Sequence, residues 1–151
     1  NEVDAGSIEE ITQACRRMSE TRTGALMVFR RISSMENIIE TGDKVDSIIN
    51  RRLIENIFWK NTPLHDGAMI VDNNRIVAAR CTLPISQNLE LPPQYGLRHR
   101  AAASVTSETD AFAIVVSEET GNISFVVDGT IRTVTSLSEL KLSIESAYNE
   151  A

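Results

Sequence analysis

The chain has 151 residues, of which 42% are hydrophobic and 24% are charged, as expected for an ordinary soluble globular domain. Its net charge of −6 argues against nonspecific binding to nucleic acid or to anionic lipid. No signal peptide is recognisable, and no apolar run approaches the roughly 18 residues that span a bilayer. The isolated Cys15 and Cys81 lack metal-ligand spacing, which predicts buried free thiols in a reducing compartment.

The first predicted element is an N-terminal helix over residues 1–22. Ser7 and Glu10 have the spacing of a capping box, and Ile8, Ile11 and Cys15 follow at helical intervals. The chain begins at Asn1 rather than at a methionine, so we expect this helix to lead in from a missing upstream region.

The next residues predict a strand, an irregular segment and a second helix. The apolar run Ala25–Phe29 is typical of a strand that is buried on both faces. Residues 30–40 show no clear pattern. Asp43 could cap a helix whose apolar stripe runs from Val45 to Phe58, and Pro63 excludes its continuation.

The rest of the chain predicts two hairpins, a central helix, a further strand and a C-terminal helix. The hairpins are predicted at Ala68–Val71 with Arg75–Leu83 and at Ile123–Val127 with Thr130–Thr133. The central helix is predicted over Arg98–Thr106, after a surface loop over 86–96, the further strand over Ala111–Val116 and the C-terminal helix over Ser138–Tyr148. This order predicts an α/β fold with a central mixed β-sheet and helices packed around it, as one domain over residues 1–151.

The stretch Thr62–Ala68 is the first candidate site, because it places His65 beside Asp66 where a loop runs into a strand. Asp66 can accept a proton or bind a divalent cation, and His65 can bind the same metal or orient the carboxylate. Gly67 would let a ligand approach the backbone closely. An Asp-Gly pair alone is most often only a turn.

Arg98-His99-Arg100 is the second candidate site. Arginine side chains, an imidazole and free amide groups at a helix start form a good phosphate site, provided that the cluster lies on a loop where both arginines can converge. The alternative is a solvated basic patch.

Ser117-Glu118-Glu119 follows a predicted buried strand, where it could supply a hydroxyl for a phosphate and a carboxylate for Mg²⁺. A plain acidic turn is the alternative. The chain contains no Walker A loop, no G-x-G-x-x-G, no H-E-x-x-H and no G-x-S-x-G motif.

Together these residues resemble the diadenylate cyclase (DAC, or DisA_N-type) domain, which carries a D-G-A and an R-H-R motif, here Asp66-Gly67-Ala68 and Arg98-His99-Arg100. The flanking segments are similar to those of the membrane-anchored CdaA-type cyclases. These segments are Arg22–Leu26, Asn61–Ala68, Leu83–Ser86, Arg98–Ala102 and Val115–Gly121.

The resemblance implies that two ATP molecules condense to cyclic di-AMP with release of two pyrophosphates, in a face-to-face homodimer that requires Mg²⁺ or Mn²⁺. Asp66 would then activate the attacking hydroxyl. The residues implied to bind ATP are Gly67, Ala68, Leu83, Arg98, His99, Arg100 and Ser117, and those implied to bind metal are His65, Asp66 and Glu119.

The resemblance further implies upstream transmembrane helices, a location on the cytoplasmic face of a bacterial membrane and a possible regulatory membrane protein as partner. Two positions depart from the family pattern. Thr82 stands where relatives often carry an aromatic residue that stacks on adenine, and Leu97 stands where a threonine usually precedes the R-H-R motif.

Two other functions remain open from the residues alone. One is a non-catalytic module that binds or senses ATP on the same fold. The other is a metal-dependent nucleotide hydrolase that uses His65, Asp66 and Glu119, although two histidines are few for such a site.

Overall fold

The computed structural model describes residues 3–87 and 89–150. The predicted helix over 1–22 and the predicted loop over 86–96 therefore each include residues that lie outside these described ranges. The elements, in chain order, are α1 Ala5–Thr21, β1 Ala25–Phe29, α2 Glu36–Ile39, β2 Asp43–Ile48, α3 Arg51–Phe58, β3 Ala68–Asp72, β4 Arg75–Cys81, α4 Leu97–Glu108, β5 Phe112–Val116, β6 Ile123–Val127, β7 Thr130–Val134 and α5 Leu137–Asn149.

The seven strands form one mixed sheet in the order β2-β4-β3-β1-β5-β6-β7. Among the described strands, β1 and β3 are the only pair that runs in parallel, and the other neighbours are antiparallel. Alternate residues of β1 supply two hydrophobic cores, with Met27 and Phe29 in one and Leu26 and Val28 in the other. Helices α1, α3 and α5 cover the first core, while α4 and α2 cover the second. The predicted α/β fold with a central mixed sheet is confirmed.

The predicted helix from Asp43 is wrong over its first half, because residues 43–48 form the edge strand β2. This strand pairs with β4, and its register shifts between Lys44 and Ser47. Helix α3 begins only at Arg51, where the Asn50 side chain accepts a hydrogen bond from the Leu53 amide. The apolar residues of β2, Val45 and Ile48, are three positions apart, so helix-like spacing misled the prediction.

Two smaller boundaries also differ from the prediction. Helix α1 is capped by Asp4 rather than by Ser7, since the Asp4 carboxylate accepts a hydrogen bond of 2.8 Å from the Ser7 amide. The segment predicted to be irregular contains the short helix α2. The first predicted hairpin turn is confirmed, and Asn73 and Asn74 adopt the positive φ that the turn requires.

The strand directions bring four chain segments together at one end of the sheet. The parallel strands β1 and β3 both begin there, and their antiparallel neighbours β5 and β4 end there, as the pairs Ala25 with Val116 and Ala68 with Cys81 show. The residues just outside the sheet at this end are Gly24, Gly67, Thr82 and Ser117. Their position defines where a site can form.

Candidate active site

A cleft of about 840 Å³ opens at this end of the sheet, between the Asp66 loop, the turn after β5 and the start of α4. The predicted site residues that line it are His65, Asp66, Gly67, Leu83, Arg98, His99, Ser117 and Glu119. Ala68 is fully buried behind them as the first residue of β3. Two clusters some 30 residues apart in sequence therefore face one cavity.

The Asp66 loop is held by backbone packing. Gly67 has a φ of +85°, and a Cβ at this position would lie 2.6 Å from the carbonyl oxygen of Cys81. Strand β4 carries a bulge at this point, with Arg80 at a φ of +57°. The loop thus rests on the bulge, as is common beside functional sites, while the Asp66 side chain is 83% exposed.

His65 is oriented towards Asp66 by a backbone hydrogen bond. Its Nδ1 lies 2.7 Å from the Thr62 carbonyl oxygen, which can only accept, so Nδ1 carries a proton. Nε2 then faces Oδ1 of Asp66 at 3.3 Å, an arrangement that is favourable only with a proton or a metal ion between the two atoms. Metal-binding histidines typically donate their second ring N–H to a carbonyl in this way, so the pair fits a metal site.

Glu119 does not join this pair. In residues 3–87 and 89–150, no group of three or more histidine, cysteine, aspartate or glutamate side chains is close enough to hold a metal. His65 and Asp66 therefore suit Mg²⁺ or Mn²⁺ only if the remaining ligands come from water and substrate phosphates, as is usual for Mg²⁺. The predicted metal role of Glu119 remains a prediction.

The opposite wall of the cleft is formed by the first turn of α4. The Arg98 side chain is 24% exposed, with Nη1 3.5 Å from Oε1 of Glu118. His99 is buried and packs at a tilt against Tyr95, with ring centroids 4.9 Å apart. Burial and the neighbouring Arg98 charge lower the pKa of His99, so this ring is neutral near pH 7. The first amide groups of an α-helix have no partner within the helix, and the N-cap residue Gly96 supplies no side-chain hydrogen bond to those of α4.

Arg100 lies elsewhere. The helix predicted over Arg98–Thr106 is confirmed as α4, which begins at Leu97 and contains all three residues, so the loop on which both arginines could converge is not formed. Residues i and i+2 of a helix point in different directions, and Arg100 is not among the described residues that line the cleft. A contact between Arg100 and ATP remains a prediction from the motif.

The turn after β5 presents Ser117 to the cleft. Its Oγ accepts hydrogen bonds of 3.2 Å from the amides of Glu119 and Thr120, so its own proton is left to donate. The end of α1 braces this turn, since Ser19 Oγ donates to the Gly121 carbonyl at 2.6 Å and Arg22 donates to that of Glu119 at 3.2 Å.

Several residues of the cleft were not assigned to the site by sequence reasoning, among them Gly24 and Lys60. Both lie in or beside segments that carried the family resemblance, and this position was the signal by which they could have been assigned to the site. Of the positions that depart from the family pattern, Thr82 and Leu97 both line the cleft, and Leu97 is 75% exposed.

The sequence matches the family model described as DisA bacterial checkpoint controller nucleotide-binding (DAC) over residues 12–131. It is 40% identical to the cyclic di-AMP synthase CdaA of Bacillus subtilis over 149 residues, which are 99% of this chain and 55% of that protein. It is 42% identical to the diadenylate cyclase CdaS of Bacillus thuringiensis over 124 residues, 82% of this chain and 62% of that protein. The chain thus spans little more than half the length of these relatives.

Solved structures agree with this assignment. A double cysteine mutant of DacA from Staphylococcus aureus is 38% identical and superimposes with a TM-score of 0.91, covering 95% of each chain. A hypothetical membrane spanning protein from Bacillus cereus is 41% identical, with a TM-score of 0.81 over 85% of this chain and 63% of that one. The resemblance read from the two motifs is confirmed, and the chain belongs to the DAC family.

Proposed function

We propose that this domain is a diadenylate cyclase, which condenses two ATP molecules into cyclic di-AMP and two pyrophosphates where two copies meet face to face. The observation that carries the proposal is the convergence of an exposed carboxylate, Asp66, and a largely buried guanidinium, Arg98, on one cleft. The names of the relatives from Bacillus subtilis and Bacillus thuringiensis support the same activity.

The lining of the cleft supports one orientation of the nucleotide. Leu26, Phe58 and Leu83 are buried apolar residues of the lining and suit an adenine ring. Arg98 and Ser117, with the first amides of α4, suit the triphosphate. Gly67, which has no side chain, would let the nucleotide lie against the backbone.

The chemistry is a phosphoryl transfer in which a 3′-hydroxyl attacks an α-phosphorus. An O–P bond forms, the bond from that phosphorus to the bridging oxygen breaks, and pyrophosphate leaves. Asp66 accepts the proton of the hydroxyl as general base, and Arg98 stabilises the negative charge on the phosphates. When bound at His65 and Asp66, Mg²⁺ or Mn²⁺ would supply further charge neutralisation.

The stoichiometry of this reaction supports a homodimer. Each chain supplies one Asp66 and one Arg98, whereas closing the product ring requires two phosphoryl transfers between two nucleotides. The 83% exposure of the Asp66 side chain supports a site that is completed by a second copy. Specific activity should therefore fall when the protein is diluted below its dimer dissociation constant.

The location of the whole protein is part of the proposal. The described residues include no helix that is long and apolar enough to cross a membrane. The similarity to CdaA-type cyclases, together with the Bacillus cereus structure described as membrane spanning, supports attachment to the cytoplasmic face of a bacterial membrane. A regulatory membrane protein as partner rests on the family resemblance alone.

The test is to incubate the protein with ATP and Mn²⁺ or Mg²⁺ and to identify the products by chromatography and mass spectrometry. We expect cyclic di-AMP and pyrophosphate, and no product after a chelator is added. AMP or ADP would indicate a hydrolase, and unchanged ATP would indicate a binding or sensing module. Product formation that survives complete metal removal would contradict the metal dependence.

A further inference from the structure

We infer that Gly24 positions the Arg98 guanidinium, which lies in the space that a side chain at residue 24 would fill. The inference rests on the proposed function for what Arg98 binds. Gly24 contributes no atom to catalysis in this view and acts through Arg98 alone.

The distances between the two residues carry the argument. A Cβ built on Gly24 would lie 2.5 Å from Nη1, 2.6 Å from Cζ and 3.1 Å from Nη2 of Arg98. The first two distances are below 3.0 Å, which real Cβ atoms essentially never show. Three guanidinium atoms therefore occupy the volume that any side chain at residue 24 would need.

Backbone conformation does not explain the glycine. Gly67 and Gly121 have φ values of +85° and +78°, but the φ of Gly24 lies outside the left-handed region, so an L-residue is allowed there. Gly24 leads directly into β1, where Ala25 pairs with Val116. Residue 24 must instead lack a side chain because the Arg98 guanidinium occupies that volume.

The position matters because a guanidinium binds phosphate through a planar fork whose orientation sets which oxygens it reaches. Arg98 lies with the Gly24 backbone on one side and the Glu118 carboxylate 3.5 Å away. A methyl group at residue 24 would displace the fork from this place. Its charge would stay in the cleft, but its hydrogen-bonding geometry would be lost.

The test is Gly24→Ala, with ATP binding measured by calorimetric titration and product formation measured by chromatography. The clashing atoms belong to the far end of a flexible side chain, which can move without unfolding the protein, so we expect Tm to stay within about 4 °C of the wild type. We expect ATP affinity to fall roughly 10-fold, the scale of a lost charge-assisted hydrogen bond. The control is Gly6→Ala, where a Cβ would meet nothing closer than Asp4 Oδ1 at 3.6 Å, and both readouts should be unchanged.

A double-mutant cycle separates positioning from a general structural effect. In an Arg98→Ala background, Gly24→Ala should cause no further loss of ATP affinity, because the displaced group is gone. Additive losses, or wild-type affinity in the single Gly24→Ala variant, would overturn the inference while leaving the cyclase proposal intact. If the wild type binds ATP but makes no cyclic di-AMP, the cyclase proposal fails and the cycle still decides the role of Gly24. A wild type that binds no ATP would overturn both.

Discussion

The two walls of the cleft are built in opposite ways. On one wall the Asp66 carboxylate is 83% exposed, and its place is set by the backbone packing of Gly67 on β4. On the other wall Arg98 is 24% exposed and lies over Gly24, next to the buried His99. The Asp66 wall therefore has a fixed backbone and an exposed functional side chain, whereas on the Arg98 wall the functional side chain is largely buried.

This difference matches the two tasks that the proposed reaction sets. A group that grips phosphate gains strength when it is shielded from water, whereas a base that must reach a nucleotide on a second chain has to project outwards. The comparison predicts that substitutions on the two walls will fail in different ways.

The largest effect should come from Asp66→Asn. The amide cannot accept the hydroxyl proton, so we expect product formation to fall by roughly 10²-fold or more, while ATP binding persists because the carboxamide keeps the shape of the side chain. Initial rates and a titration with ATP separate the two effects. Unchanged turnover would remove Asp66 from the chemistry.

Arg98→Ala should instead reduce binding itself. Loss of a charge-assisted hydrogen bond costs about 1.5–3 kcal/mol, which corresponds to a roughly 10- to 100-fold weaker Kd for ATP. Arg100→Ala is the matched control, because Arg100 does not line the described cleft, and its effect should be smaller. Equal losses for the two arginines would show that both reach the same nucleotide.

Gly67→Ala tests the backbone support of the first wall. A side chain at a φ of +85° is strained, and its Cβ would meet the Cys81 carbonyl, which belongs to a strand and cannot move aside. We expect about 2 kcal/mol of lost stability and a Tm lower by about 4–8 °C, together with lost activity. For Gly24→Ala we expect weaker ATP binding with little change in Tm. A similar loss of Tm in the two variants would contradict the proposed difference between the walls.

The smallest effect should be the contribution of His99 to the pH dependence of stability. Its pKa is lowered from the usual 6.5 by burial and by the Arg98 charge. As the pH falls below 6.5, the unfolded chain takes up this proton before the folded protein does, so stability should drop until the lowered folded pKa is reached. Urea unfolding between pH 5 and pH 8 should show a flatter profile for His99→Gln, and an unchanged profile would show that His99 does not contribute.

Much of this architecture could be predicted from local sequence. The fully apolar runs of β1 and β5, the Asn73-Asn74 turn and the placement of Asp66 before a strand all depend on neighbours a few residues apart. The D-G-A and R-H-R motifs indicated the family for the same reason. The burial pattern of a strand or helix and the residues of a turn can be predicted from such short segments.

Only the tertiary structure decided the rest. Residues 43–48 became a strand because β4 offers them an edge to pair with, although their apolar spacing also suits a helix. The parallel pairing of β1 with β3 brought Gly24 to the cleft, where Arg98 lies over it. Each of these outcomes depends on contacts between residues far apart in the chain, and short-range periodicity carries no record of them.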